Sequence, residues 1–169
     1  MPLTLRTIAD RLIGLSAFFG AAALIVEVFV ILVDVIGRAF GHPLYGSQDM
    51  ITMVLVILVF GGMALCDRLG GHIAVDVLER QYPDAMNRAV DILSALLGAV
   101  IFAFVCWAVW ESSKLSQMLN LNTNLLNWPK AWFQWALIAL SALTALGLLL
   151  RAAELTISGR DIRTEKEAA

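Results

Sequence analysis

The sequence predicts an all-α integral membrane protein with four transmembrane helices and a short amphipathic surface helix on the cytoplasmic side. Of its 169 residues, 60% are hydrophobic and only 15% are charged, whereas soluble domains are near half apolar and about a quarter charged. Four apolar segments are long enough to cross about 30 Å of hydrocarbon as helices. The alternation of apolar and polar residues that is typical of a membrane β-barrel does not occur.

The first two spans are predicted at 12–36 and 50–66. The first follows two arginines, as a signal peptide would, but its apolar run exceeds the roughly 15 residues of a typical signal-peptide core. We therefore expect an uncleaved transmembrane helix. The second span contains no charged residue and lies between Asp49 and Asp67, which mark its two ends.

The third and fourth spans are predicted at 89–111 and 130–155, each around a core without charged residues. The four spans together form one predicted membrane domain over residues 1–157. Residues 158–169 carry mixed charges and few apolar side chains, so we expect a polar C-terminal tail there.

The segment between the second and third spans is predicted to form a surface helix at about 72–82. Apolar residues recur in it at helical spacing, and polar residues share the opposite side. The apolar residues are Ile73, Ala74, Val77, Leu78 and Tyr82, and the polar ones are His72, Asp76, Glu79 and Arg80. Such a helix is expected to lie along the inner membrane surface.

The distribution of Lys and Arg predicts that both termini are cytoplasmic, because short loops rich in these residues stay on that side. Nine of the twelve lie on the predicted inner side and three on the outer side. The outer three are Arg38, Lys114 and Lys130. Tryptophan prefers the membrane interface, and all five tryptophans fall at the predicted outer face. These interfacial anchors are Trp107, Trp110, Trp128, Trp132 and Trp135.

Glu27 is the one ionisable side chain deep within a predicted span. A carboxylate in hydrocarbon is costly, so we expect it to have a partner. That partner would be a hydroxyl or indole of this chain, a cation on another subunit, or a proton. Asp34 and Arg38 lie four residues apart on the same helix, a spacing that favours an ion pair. Glu27 and Asp34 share a face, which we therefore expect to contact protein and not lipid.

Small residues predict where helices approach closely. In the first span they form the pairs Ser16/Gly20 and Ala17/Ala21, and in the third the pair Ser94/Gly98 with Ala95, Ala99 and Ala103. These positions are predicted to face neighbouring helices.

The sequence contains no pattern typical of an enzyme, a cofactor site or a nucleic-acid-binding surface. Cys66 and Cys106 fall near opposite membrane faces, which excludes a disulfide between them. His42 and His72 lie on opposite sides, which excludes haem ligation by this pair. His72 with Asp76 has the spacing of a metal-binding or titrating pair, although a surface-helix contact is the expectation we favour. We expect no cofactor, no catalytic activity and no nucleic-acid partner.

Three short segments, in this order and spacing, resemble the small permease subunit of tripartite ATP-independent periplasmic (TRAP) transporters. They are DVIGRAFGHPL at 34–44, SQD at 47–49 and GGHIAVD at 70–76. The residues that carry the resemblance are Asp34, Arg38, Gly41, Pro43, Asp49, Gly71, His72 and Asp76. Three departures from the family pattern are Asp49, where the family often has Glu, Glu27 within the first span, and a fourth span without the proline expected there.

The resemblance implies a non-catalytic subunit of a secondary transporter in the bacterial inner membrane. Its expected partners are a large multi-span permease subunit, a periplasmic substrate-binding protein and membrane lipid. Substrate and ion sites would belong to the large subunit, and an organic acid would be taken up with an ion gradient. Two alternatives remain open: a stand-alone four-helix proton-coupled exchanger that uses Glu27, and a structural membrane protein unconnected with transport.

Overall fold

The structure, a computed structural model, describes residues 3–69 and 83–158, which form four α-helices. They are α1 (Leu3–Ala39), α2 (Ser47–Leu69), α3 (Asp84–Met118) and α4 (Lys130–Ser158). Each helix is long and apolar enough to cross a membrane. The predicted all-α membrane fold with four spans is therefore confirmed. The predicted surface helix at 72–82, with Gly71, His72 and Asp76, and the tail at 159–169 lie outside the described residues.

The helices extend beyond the apolar segments. α1 begins at Leu3 and α3 continues to Met118, whereas hydropathy placed these ends at 12 and 111. Hydropathy marks only the part of a helix that lies in hydrocarbon. Polar residues such as Ser112 and Lys114 are compatible with a helix, so the helix continues until a specific signal ends it.

The four helices pack in the order α1, α2, α4, α3. α1 and α2 form one antiparallel hairpin, α3 and α4 form another, and α2 contacts α4 between them. α4 is the most buried of the four. The connecting loops, residues 40–46 and 119–129, lie together at one end, called here the loop end. The opposite end, where α1 begins and α4 ends, is called the terminal end.

One stripe of α1 faces the rest of the protein. Its buried or half-buried residues are Ile13, Ser16, Gly20, Ala23, Glu27, Val30, Asp34 and Gly37. They alternate by three and four positions, which is the heptad spacing of a helix seam. From Arg11 to Ala39 the other residues of α1 are exposed, apart from half-buried Ala17 and Ala22. Phe18 and Phe29 are each 67% accessible. α1 is therefore an edge helix whose outer faces contact lipid or another chain.

The two hairpins close by different contacts. A Cβ added at Gly20 would lie 2.9 Å from the backbone nitrogen of Gly62, and one added at Gly61 would lie 2.9 Å from the carbonyl oxygen of Ser16. The backbones of α1 and α2 thus touch directly. In the other hairpin, a Cβ at Gly98 would meet the Leu148 side chain at 3.1 Å.

The terminal end is held by arginines. Arg151 on α4 lies 3.5 Å from Asp67 near the end of α2. Arg88, one turn into α3, donates hydrogen bonds to the carbonyl oxygens of Leu155 (2.9 and 2.5 Å) and Thr156 (3.1 Å) in the last turn of α4. Carbonyls in the last turn of a helix have no partner within the helix and carry partial negative charge, so a cation there stabilises the helix end.

Candidate functional site at the loop end

Two of the three segments that resemble the small TRAP permease subunit, residues 34–44 and 47–49, lie at the loop end. α1 ends there in a Schellman motif, in which the N–H of Gly41 donates to the carbonyl of Arg38 (3.1 Å) and that of His42 to Gly37 (2.8 Å). Gly41 has φ +79°, a left-handed conformation that glycine adopts without a steric penalty. Pro43 follows and cannot continue a helix. Gly41 and Pro43 therefore end α1.

Asp34 connects the end of α1 to the loop that follows. Its carboxylate accepts hydrogen bonds from the Arg38 guanidinium at 2.9 and 2.8 Å and from the backbone N–H of Leu44 at 3.1 Å. Asp34 is only 6% exposed. The predicted ion pair is confirmed, and its carboxylate also restrains the first loop by binding the backbone ten residues ahead.

Asp49, in the first turn of α2, connects the two loops. Its Oδ2 accepts hydrogen bonds from the backbone N–H groups of Leu125 (2.7 Å) and Leu126 (3.0 Å). The Tyr45 hydroxyl donates to the carbonyl oxygen of Leu125 at 3.1 Å. Asp49 therefore binds the loop between α3 and α4 to the start of α2.

The second loop is ordered by its own backbone hydrogen bonds. α3 ends in another Schellman motif, in which Asn120, with φ +48°, takes the position that Gly41 has after α1. Further along, Thr123 and Trp128 exchange two bonds: N–H of Thr123 to the Trp128 carbonyl (2.8 Å), and N–H of Trp128 to the Thr123 hydroxyl (3.0 Å). The two helices that run toward the loop end thus stop by the same mechanism.

Glu27 lies on the inward stripe of α1, between the loop end and the Gly20 contact. It precedes Asp34 by two turns, or about 10 Å along the helix at 1.5 Å per residue. It precedes Ala39, where α1 ends, by about 18 Å on the same scale. Its Oε2 is buried and has no hydrogen-bond partner among the residues that the structure describes. The predicted protein-facing orientation of Glu27 and Asp34 is confirmed, and Oε2 faces the interior of this chain.

The five tryptophans lie toward the loop end with large exposed fractions. The fractions are Trp107 60%, Trp110 50%, Trp128 44%, Trp132 66% and Trp135 51%. Indole rings at this level are amphipathic and favour the zone between hydrocarbon and water. Their position fits interfacial anchoring of the loop end.

The described residues contain no group of three or more His, Cys, Asp and Glu side chains that could hold a metal ion. Cys66 and Cys106 are free thiols. The Cys106 thiol lies 3.5 Å from the carbonyl oxygen of Ile138 within the α3–α4 contact. The loop end thus combines exposed tryptophans with carboxylates that bind backbone amides and restrain the two loops.

A family model described as "Tripartite ATP-independent periplasmic transporters, DctQ component" matches residues 27–157. The chain belongs to the DctQ family. The match covers most of the chain. It includes α1 from Glu27 onward, all of α2 and α3, and all of α4 except its last residue. The resemblance to the small TRAP permease subunit is confirmed.

The DctQ family is a family of transporter components and not of enzymes. Together with the four apolar helices, DctQ membership makes this chain a multi-pass protein of the bacterial inner membrane. No curated protein matches the sequence closely enough to serve as a further comparison.

Proposed function

We propose that this DctQ chain is a membrane scaffold for the large multi-span permease subunit of its TRAP transporter. In this role it supports ion-gradient-driven uptake of an organic acid that a periplasmic substrate-binding protein delivers. The observation that carries the proposal is that polar contacts join the two hairpins at both ends of the protein. Asp49 joins them at the loop end and Arg151 joins α2 to α4 at the terminal end.

A scaffold for a moving transport domain has to resist deformation. α4 contacts all three other helices, and hydrogen bonds restrain both loops of the loop end. An element with many buried contacts and restrained ends opens only at a high free-energy cost. The chain therefore has the mechanical character of a fixed support.

The charge distribution supports a role without an organic-acid site in this chain. An organic anion within a membrane is usually bound by cations or by the exposed ends of broken helices. Among the described residues, Lys and Arg lie toward the helix ends, and the four helices run without interruption. The substrate site is accordingly assigned to the large subunit.

The proposal places the loop end in the periplasm and both termini in the cytoplasm, on the basis of the Lys/Arg bias and the tryptophans. Cysteines introduced at the exposed residues His42 and Asn124 should react with a membrane-impermeant maleimide in intact cells. A cysteine at exposed Ala85 should react only after lysis. Native Cys66 and Cys106 are replaced by alanine beforehand, and the reverse labelling pattern would invert the orientation.

The test of the scaffold role combines binding and uptake. Calorimetric titration of the purified chain with organic acids should give no heat of binding, while the chain should co-purify with the large subunit. Proteoliposomes that lack this chain should lose uptake. Saturable micromolar binding to the isolated chain would contradict the scaffold role.

A second candidate function rests on the buried Glu27 Oε2 without a described hydrogen-bond partner. In a proton-coupled exchanger, a carboxyl at this depth would bind and release a proton in each cycle. An amide cannot do so. Uptake after Glu27→Gln therefore separates the two functions: the scaffold retains transport, and the exchanger loses it while still assembling.

A further inference from the structure

A cavity at the loop end opens where α3 stops and α4 begins. Its volume is about 220 Å³, below the roughly 300–1,000 Å³ of pockets for drug-sized ligands. Polar side chains line one part of it and two indole rings another. The lining residues used below are Ser116, Gln117, Asn120, Asn122, Trp132 and Trp135. The cavity is therefore of a size to hold a small polar group.

The polar lining is rich in hydrogen-bond donors. Gln117, Asn120 and Asn122 each carry a side-chain amide with two N–H donors. Within the described ranges 3–69 and 83–158, none of these three amides donates a side-chain hydrogen bond. All three residues are exposed, so their amides are free to donate to an acceptor with several oxygens, such as a phosphate diester, in place of water.

The charge of the lining narrows the choice of ligand. None of the residues that line the cavity is ionisable. A headgroup with a net negative charge would be taken from water without a compensating cation, which is costly. A zwitterionic headgroup brings its own cation, and an ammonium group binds favourably over an indole face. Trp132 and Trp135 supply such faces.

The location indicates a lipid as the source of the headgroup. Trp132 and Trp135 form one side of the cavity and are 66% and 51% exposed. At the level where α4 enters the membrane, that side meets the zone of phospholipid headgroups. A phosphodiester placed there extends its acyl chains down the apolar surface of α3 and α4.

We propose that this cavity binds the phosphoethanolamine headgroup of a phosphatidylethanolamine. The amides of Gln117, Asn120 and Asn122 donate to the phosphate oxygens, and the ammonium group lies over the indoles of Trp132 and Trp135. The lipid would anchor the α3–α4 hairpin at its depth in the membrane.

The test is native mass spectrometry of the full purified chain, released from nanodiscs that contain phosphatidylethanolamine and phosphatidylglycerol in equal amounts. The wild-type chain should retain phosphatidylethanolamine preferentially. Gln117→Leu and Asn122→Ala should each weaken retention roughly tenfold, the lower limit for loss of a hydrogen bond to a charged group. Trp132→Leu should weaken it about two- to fivefold, as expected for loss of an exposed cation–π contact. Matched controls are Trp107→Leu, also interfacial and 60% exposed, and Asn124→Ala, both outside the cavity.

Three outcomes would overturn the proposal. One is retention of phosphatidylethanolamine by the Trp132 and Asn122 variants at the level of their controls. Another is equal retention of phosphatidylglycerol, which would show an unselective lipid surface. The third is binding of soluble phosphoethanolamine as tightly as of the lipid, which would identify a site for a free metabolite. Circular dichroism of each variant shows that a loss of lipid does not result from unfolding.

Discussion

The two hairpins of this DctQ chain hold together by different means. In the α1–α2 hairpin, Gly20 and Gly61 bring backbone against backbone, and an added Cβ at either position would meet backbone atoms at 2.9 Å. In the α3–α4 hairpin, Gly98 faces the flexible end of the Leu148 side chain. Backbone atoms cannot move aside, but a leucine can change rotamer. The first hairpin should therefore tolerate far less change than the second.

The largest expected effect comes from Gly20→Val, which would force α1 away from α2. Overpacking a well-packed site costs about 1–3 kcal/mol or more, and the upper end applies because the atoms in the way are backbone. We expect loss of the folded monomer, measured by gel filtration and by the unfolding midpoint in detergent. Gly62→Val is the matched control, since a Cβ at Gly62 meets nothing within 4 Å. Equal behaviour of the two variants would show that the close approach is unimportant.

Asp49→Ala should have a smaller but clear effect, because it removes one of the polar links between the hairpins at the loop end and leaves both hairpins intact. The N–H groups of Leu125 and Leu126 would lose their acceptor. Because one of these bonds is exposed and the other is part-buried, each loss should cost about 0.5–1.5 kcal/mol. We expect faster hydrogen exchange in residues 119–129 and a lower unfolding midpoint. Gln48→Ala, at an exposed neighbouring position, should change neither. Unchanged exchange in the Asp49 variant would show that the carboxylate does not hold the loop.

Gly98→Ala should change stability little. The new Cβ would approach the Leu148 side chain at 3.1 Å, a contact that a small rotation relieves. Replacing glycine by alanine within a helix stabilises the helix by about 1 kcal/mol, and this gain offsets the cost of the crowding. The unfolding midpoint should therefore remain close to wild type. A large decrease would mean that the α3–α4 hairpin is as rigid as the α1–α2 hairpin.

Glu27→Gln should have the smallest effect of the four, although Glu27 lies in the less tolerant hairpin. Glutamine keeps the shape and removes a charge from the membrane interior. We expect normal co-purification with the large subunit and uptake close to wild type in proteoliposomes. Complete loss of uptake with intact assembly would favour the proton-coupled function instead.

The sequence predicted the features that depend on local spacing. The four helices follow from apolar length, and the Asp34–Arg38 ion pair follows from the i,i+4 spacing. Within the predicted small-residue pairs, Ser16 and Gly20 are buried, whereas Ala21 is exposed. In α3, Ala95 and Ala99 are buried while Ser94 and Ala103 are exposed. Small residues cover several faces of a helix, and only the position of the neighbouring helix decides which face packs.

Contacts between distant segments could not be predicted. Gly61, against which Gly20 packs, lies beside Gly62 in an apolar run. Such small residues indicate a close approach of helices, but they do not identify Gly20 as the partner. The partners of Asp49 are backbone N–H groups 76 and 77 residues later, and every non-proline residue carries the same group. The role of Asp49 therefore could not be predicted, because only the fold decides which backbone N–H groups its carboxylate meets.

The distance along the chain between Asp49 and Leu125 has a consequence for biogenesis. At about 5–20 residues per second, roughly 4 to 15 s of translation separate the two residues. During that interval the nascent α1–α2 hairpin already occupies the membrane, while the Asp49 carboxylate still lacks its amide partners. Contact forms only after α3 and the second loop have been inserted. The polar contacts of the terminal end wait still longer, because Arg151 and the carbonyl groups of Leu155 and Thr156 are synthesised after Leu125. The loop end therefore closes before the terminal end, and closure of the terminal end marks a fully inserted α4.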